Sequence, residues 1–269
     1  MRPAAPRACF ALLILTLILL NFPLVNMAVG AFRGPDGWDF AAFVGVLENP
    51  YWMDALVRSV WLGLASAVGS TLLGLLAALA LANRRPGVLG AMMAAAMVMP
   101  EIVFALTLLL WFSALGLRLG LNTLILAHIT FSVSFAFWIL RSRLERLDPA
   151  LFEAAADLGA GGWQTFRRVT LPLLLPSLGA SCMLCFLLSF DDFLISFFVN
   201  GVGSDTLPIK LYSSMKTGMT NETNALAFLM SLISGLLVLW LSRTRILRGL
   251  LGSEQPTVKD DLVAIKIEV

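Results

Sequence analysis

Long apolar runs constrain this chain more than any other feature of its sequence. Six of them are long enough to cross a membrane as helices, which takes about 20 mostly apolar residues. The runs cover residues 9–31, 56–82, 88–113, 123–140, 173–199 and 224–241. The 269 residues are 59% hydrophobic and 13% charged, whereas soluble domains are roughly 45–50% apolar and about 25% charged. This composition excludes a soluble enzyme, a disordered chain and a nucleic-acid binder.

The first run could also be read as a cleaved signal peptide, because it follows basic residues and ends in small ones. The apolar core of a signal peptide is about 7–15 residues long, however, and this run is longer. We therefore predict an uncleaved anchor. The fold class expected from the six runs is an all-α, polytopic membrane bundle of six transmembrane helices.

The basic residues are distributed unevenly between the two sides of this predicted bundle. Six spans place the N-terminus, residues 83–87, residues 141–172 and the tail after 242 on one side. That side holds 14 of the 19 Lys and Arg residues. Cytoplasmic loops carry an excess of Lys and Arg, so this side is predicted to be cytoplasmic, with both termini and the 141–172 loop.

The 141–172 loop reads as two short helices joined by a sharp corner. Asp148 suits a helix N-cap and Pro149 the first turn that follows. Gly159 is placed to end the first helix. Residues 163–169 can form a second helix, which Pro172 is expected to stop before the next span.

Two interpretations of this compact loop are open on physical grounds. Trp163 and Phe166 are aromatic anchors of the kind found at interface centres, and small alanines allow another surface to approach closely. The loop could therefore dock into a groove on a soluble partner, or it could cap the bundle.

The loop also resembles the EAA loop of permease subunits of binding-protein-dependent ABC importers. The resemblance covers Glu153-Ala154-Ala155, then Gly159, then Val169-Thr170-Leu171-Pro172. It implies the type I ABC importer permease fold, with residues 56–243 as the core of one domain spanning 1–269 and residues 145–172 as the coupling loop. The residues that would contact the ATPase are Glu153, Ala154, Ala155, Gly159, Trp163, Phe166, Leu171 and Pro172.

The partners expected from this resemblance explain why the sequence has no ATP-binding motif of its own. No phosphate-binding G-x-x-x-x-G-K-[ST] motif is present, so the chain is not expected to hydrolyse ATP. ATP and magnesium would be bound by a separate ATP-binding cassette subunit, acting as a dimer. A second, homologous permease, an extracytoplasmic solute-binding protein and the lipid bilayer complete the expected partners, and no nucleic acid is expected.

Three acidic residues fall inside the predicted spans: Glu101 in the third, and Asp191 with Asp192 in the fifth, a few residues past its middle. Charges at membrane depth usually mark a transport pathway. With no Lys or Arg well inside a span, they favour a cationic cargo, and the neighbouring Phe190 and Phe193 offer rings that attract ammonium groups. The alternative is that the acids are protonated or hydrogen-bond to a neighbouring subunit.

A second resemblance narrows the cargo. Residues 188–199, containing Ser189-Phe190-Asp191-Asp192-Phe193, together with 206–213 and 224–227, are similar to the spermidine/putrescine permeases, most of all to the second, C-type permease of that importer. The resemblance implies import of a polyamine across a bacterial inner membrane. Related permeases for other solutes share part of this pattern and stay as an alternative. The loop at 201–223 would meet the binding protein, or simply connect two spans.

Other classes of protein have less support. An intramembrane enzyme would need several metal ligands or a Ser–His pair, yet His128 is the one histidine and no G-x-S-x-G elbow is present. We expect His128 to be buried packing with one hydrogen bond, and the pair Cys182 and Cys185 to be packing residues. A membrane scaffold that does not transport is the remaining alternative.

Overall fold

In the part of the chain that the structure describes, the fold is a bundle of α-helices with one short pair of strands. The computed structural model describes residues 7–34, 37–82 and 84–243. Within these ranges the helices are α1 (Arg7–Ala31), α2 (Ala41–Glu48), α3 (Pro50–Ala80), α4 (Gly87–Val98), α5 (Glu101–Ala114), α6 (Leu121–Leu144), α7 (Pro149–Asp157), α8 (Gly162–Thr165), α9 (Leu171–Phe190), α10 (Leu194–Val199), α11 (Leu207–Thr217) and α12 (Asn221–Arg243). Strands β1 (Arg33–Gly34) and β2 (Gly37–Trp38) pair antiparallel.

The membrane-spanning helices match the predicted runs, with one correction in the third. In the described part of the chain five helices are long and apolar enough to span, and α4 with α5 makes a sixth if the pair counts as one. These two helices meet at 113° instead of forming one continuous helix over the predicted run of residues 88–113. Pro100 has no N–H to continue the helix of α4, and it holds Met99 in an extended conformation with ψ 135°, so the chain turns there.

The centre of the bundle is formed by α3, α6 and α9, which pack against one another. Small residues let the backbones approach closely, as is common between membrane helices. A Cβ atom added to Gly74 of α3 would lie 2.6 Å from the Cβ of Ala136 and 2.8 Å from the backbone nitrogen of Phe137. Cys185 is buried at this seam, with its Sγ 3.6 Å from the Ser132 carbonyl oxygen, which agrees with a packing role.

Side-chain contacts group the loops at two ends of the bundle. At one end the buried guanidinium of Arg141 donates to the carbonyl oxygens of Leu81 and Arg84 at 2.9 and 3.0 Å, which ties the 81–87 connection to the base of the 145–172 loop. At the opposite end the Asn221 amide donates to the Arg33 carbonyl oxygen at 2.6 Å. These contacts agree with the grouping of loops that the basic residues predicted.

Helix α1 lies at the edge of the bundle. It packs against α12, while most of its apolar side chains are exposed, Phe10, Leu13 and Leu20 among them. Such a surface needs lipid or another apolar subunit around it. The N-terminal Arg2 and the basic residues after Arg243, which entered the prediction of sidedness, lie outside the described residues.

Candidate functional site

The predicted acids come together at one cavity of about 510 Å³. It lies between α5, α9, α10 and α12, and its polar lining is made of Glu101, Asp191, Asp192 and Ser234. Residues brought from the third, fifth and sixth spans thus share one space. Among the described residues that line it, three are acidic and none is Lys or Arg.

Asp191 lies at a break in the fifth span and not inside a helix, which corrects the prediction. It is the C-cap residue of α9, and α10 begins three residues later at Leu194. The Ser234 hydroxyl of α12 donates to the exposed carboxylate of Asp191 and lies 2.9 and 2.8 Å from the two oxygens. The acid is therefore held by one hydroxyl and leaves most of its acceptor capacity toward the cavity.

Asp192 is buried, with 6% of its surface exposed, and its carboxylate is bound by the start of α10. It accepts hydrogen bonds from the backbone N–H groups of Ile195 and Ser196 at 3.2 and 2.8 Å. These are donors that the first turn of a helix leaves free. The same carboxylate lies 3.5 Å from Nε2 of His128 and close to the Glu101 carboxyl in the lining of the cavity.

Glu101 reaches the cavity because of the bend at Pro100. It is the first residue of α5 and is half-buried. An acid in the first turn of a helix is favoured by the exposed backbone N–H groups there. Two carboxyl groups this close repel each other unless a proton or a cation lies between them, so the contact between Glu101 and Asp192 is a place where positive charge is stabilised.

His128 is a residue that sequence reasoning assigned to packing with one hydrogen bond, and the structure places it at the site. Its ring is buried, with Nδ1 2.8 Å from the Ser189 hydroxyl and Nε2 3.2 Å from the Ser196 hydroxyl. It thus has two hydrogen-bond partners as well as Asp192 nearby. The sequence held no signal for this, because Ser189 and Ser196 are distant from it along the chain.

The two predicted aromatic residues separate into different environments. Phe193 lines the cavity, and its ring centroid is 4.7 Å from that of Tyr212. Phe190 is 1% exposed and stacks on Phe186 at 5.5 Å in the hydrophobic core. Phe193 can therefore contact a cation in the cavity, whereas Phe190, predicted to lie on the same pathway, does not line this cavity.

The 145–172 loop has the predicted corner. Asp148 caps α7, its Oδ1 accepting from the Ala150 N–H at 2.9 Å. Gly159 follows the helix with φ +75°, in the left-handed region where a side chain is unfavourable. The chain then turns into α8, whose N-cap residue Gly161 has φ −70°.

The surface that this corner presents is more apolar than predicted. Trp163 is 71% exposed, and Leu158, which the sequence analysis did not single out, is 89% exposed. Glu153 and Ala154 are exposed too, whereas Ala155 is buried and Phe166 is half-buried with its ring 5.6 Å from that of Trp163. Ala155 and Phe166 therefore support the surface from beneath.

Pro172 does not stop the second helix of the loop, which corrects another prediction. The helical chain is continuous from α8 into α9, through a π-helical turn over Phe166–Thr170. The N–H of Leu171 bonds to the carbonyl of Phe166, five residues back. A π turn inserts one extra residue and removes the strict i to i−4 register, so a proline can follow without breaking the helix. Leu171 and Pro172 thus form part of the fifth span, half-buried and exposed respectively.

At the opposite end of the bundle, the 201–223 loop contains α11. The exposed apolar residues of this loop are Val202, Tyr212, Met215 and Met219. Lys210 donates to the backbone carbonyl of Tyr51 at 3.1 Å, and its ammonium lies 3.5 Å from the centroid of the Tyr51 ring. Desolvation, and then the nearby Arg58, lower the pKa of Lys210. The 201–223 loop thus contains a helix held to the bundle by side-chain contacts.

The sequence and the fold belong to a known class of protein. Residues 70–246 match the family described as binding-protein-dependent transport system inner membrane component, and the chain belongs to this family. It is a multi-pass membrane protein and a transmembrane permease subunit of an ABC importer.

Relatives within the family can be named. The chain is 35% identical to the spermidine/putrescine transport system permease protein PotC of Escherichia coli (strain K12), over 82% of this chain and 87% of that protein. It is 34% identical to PotC of Haemophilus influenzae, over 81% and 89%. It is 33% identical to the putrescine transport system permease protein PotI of Escherichia coli (strain K12), over 81% and 83%.

Solved structures share the fold. One is a bacterial ABC transporter involved in the import of the acidic polysaccharide alginate, at a TM-score of 0.67, 16% identity, and coverage of 87% of this chain and 93% of that one. Another is the MetNI methionine ABC transporter in inward-facing conformations, at a TM-score of 0.57 and 22% identity, covering 72% and 96%.

Proposed function

We propose that this permease carries a polyamine, such as spermidine or putrescine, across the bacterial inner membrane. The observation that carries the proposal is the cavity, which joins three acids from two spans with no basic residue among its described lining. The names of the relatives, which are spermidine/putrescine and putrescine permeases, support the same cargo.

The cavity suits an elongated cation with several ammonium groups. Asp191 and Glu101 offer two separate acidic points, and each carboxylate oxygen accepts more than one N–H. The ring of Phe193 can contact an ammonium group or the methylene chain between two of them. The apolar lining of leucines matches that chain, and the low dielectric at this depth strengthens attraction to the cation.

The energy for transport would come from another subunit through the 145–172 loop. On this proposal a pair of ATP-binding subunits holds ATP and magnesium, and a cleft on one of them accepts the surface formed by Leu158 and Trp163. A second permease completes the pathway, and a solute-binding protein delivers the cargo at the end that carries α11. The loop end faces the cytoplasm. Closure of the ATP-binding pair would move α9, which is continuous with α8, and shift the bundle between inward-open and outward-open states.

The proposal is tested by uptake into proteoliposomes that hold this chain with its ATP-binding subunit and second permease. We expect ATP-dependent uptake of labelled spermidine or putrescine in the presence of the binding protein, and competition by unlabelled polyamine. Magnesium-free or nucleotide-free vesicles are the control. Uptake of a neutral or anionic solute with no polyamine uptake would overturn the cargo assignment. If no solute is taken up in an ATP-dependent way, a membrane scaffold that does not transport would be favoured instead.

A further inference from the structure

One buried histidine joins the three helices that define the break in the fifth span. His128 belongs to α6, Ser189 to the end of α9 and Ser196 to α10. The ring nitrogens lie 2.8 Å from the Ser189 hydroxyl and 3.2 Å from the Ser196 hydroxyl. The ring, both serines and Asp192 are all buried, so water does not replace these bonds easily.

The carboxylate of Asp192 is already engaged inside this cluster. Its two oxygens accept from the backbone of Ile195 and Ser196, and one of them lies 3.5 Å from Nε2 of His128. Asp191 differs, because its exposed carboxylate is bound by the Ser234 hydroxyl. The two neighbouring aspartates therefore have different tasks: one closes the start of α10 and the other faces the cavity.

A shift of α10 would reach the rest of the cavity. Helix α10 packs against both α5 and α6, with Ile195 and Val199 in the same core cluster as Ala105 of α5. Glu101 begins α5. The position of Glu101 thus depends on where α10 lies, and the position of α10 depends on the bonds to His128 and Asp192.

We propose that His128 is a positioning residue, which through Ser189, Ser196 and Asp192 fixes the break between α9 and α10 so that Asp191 and Glu101 face the cargo. Asp192 acts on the cargo through this geometry and not as a direct ligand. The inference rests on the proposed function and adds to it that the acids differ in role: Asp191 and Glu101 face the cargo, whereas Asp192 holds the start of α10.

The test compares single substitutions in the assembled, transporting complex. His128→Phe keeps a ring and removes every hydrogen bond, and we expect the apparent KM for polyamine to rise about tenfold, since buried partners are left unsatisfied. Ser189→Ala should raise it roughly fivefold, as expected for one lost hydrogen bond. His128→Gln, which can still bond to one serine, should lie between wild type and His128→Phe. Ser177→Ala, a buried serine earlier on α9, is the matched control and should leave KM unchanged.

Two further readouts separate positioning from a general structural effect. The rate of ATP hydrolysis without cargo should stay at the wild-type value, and KM should rise by the same factor for a divalent and a trivalent polyamine, because a displaced site weakens both alike. In a double-mutant cycle, Asp192→Asn should add little to His128→Phe, since both act through one cluster.

The contradicting results are equally specific. If Asp192→Asn raises KM just as much in the His128→Phe background as in wild type, or raises it for the trivalent cargo alone, Asp192 is a direct ligand and the inference is wrong. An unchanged KM in Ser189→Ala and His128→Gln also overturns it, and these mild variants keep the test valid if His128→Phe fails to assemble. A wild-type complex that moves no polyamine refutes the proposed function first, and this inference with it.

Discussion

At the scale of single residues, the acids of the cavity are held to different degrees. Asp192 is enclosed by backbone donors and His128, whereas Asp191 is exposed and bound by one hydroxyl. A carboxylate with free acceptor positions can bind an ammonium group without first breaking other bonds. Asp191 is therefore the acid best placed to contact the cargo directly.

Asp191→Asn is predicted to weaken cargo binding while leaving the fold intact. The amide keeps the shape and can still accept from Ser234, but it loses the negative charge. We expect the apparent KM for polyamine to rise about tenfold, since a charged hydrogen bond in a partly buried site is worth roughly 1.5–3 kcal/mol. Proteoliposome uptake kinetics measure this.

The control for that experiment is Glu48→Gln, an exposed acid at the end of α2 outside the cavity. It should leave KM unchanged. If Asp191→Asn and Glu48→Gln have the same KM as wild type, Asp191 is not part of the pathway.

Residue types at the site could be predicted from the sequence, but their environments could not. Glu101, Asp191 and Asp192 stand out because charges are rare in apolar runs. The break after Asp191 is not visible in hydropathy, since Leu194–Val199 continues the apolar pattern. The two bonds of His128 depend on residues of α9 and α10, which only the packing of α6 brings close.

At the scale of elements, the corner of the 145–172 loop depends on one backbone conformation. Gly159 adopts φ +75°, and a Cβ atom added there would contact nothing within 4 Å. A substitution therefore acts through backbone strain alone. The corner sets the angle at which α7 meets the continuous helix of α8 and α9.

Gly159→Ala is predicted to uncouple ATP hydrolysis from uptake. The left-handed conformation costs a residue with a side chain about 1–2 kcal/mol, so the corner would relax and the angle of α7 would change. We expect polyamine uptake to fall about tenfold while ATP hydrolysis by the assembled complex falls less, measured in the same vesicles.

Gly161→Ala is the matched control, because Gly161 has φ −70° and open space around it. It should behave like wild type. Equal, unimpaired uptake in Gly159→Ala would show that the corner carries no mechanical coupling.

Local chemistry made part of this element predictable. The cap at Asp148 and the turn at Gly159 follow from side-chain preferences and were confirmed. The π-helical turn that lets Pro172 continue the helix, and the 113° bend at Pro100, depend on how α4, α5 and α9 pack. Proline marked both positions, but it does not specify the angle.

At the scale of the whole molecule, this bundle is one part of a larger assembly. Exposed apolar surface on α1 and at Leu158 and Trp163 needs partners, and the sequence holds no phosphate-binding loop of its own. The central claim is that an ATP-binding subunit drives the bundle through the 145–172 loop. The number of spans and the loop that connects the fourth to the fifth were predictable from hydropathy. The acidic cavity was not, because it forms only where helices distant in sequence pack together.

Site-directed crosslinking tests that claim most directly. Leu158→Cys, in a background where Cys9, Cys182 and Cys185 are replaced by alanine, is crosslinked in the assembled complex with a short bifunctional thiol reagent against cysteines placed along the cleft of the ATP-binding subunit. Leu236→Cys, exposed in the middle of α12, is the control. The account predicts a crosslink from position 158 and none from 236, with a yield that changes when ATP is added. A complex that transports polyamine yet gives no crosslink from position 158, with or without ATP, would contradict it.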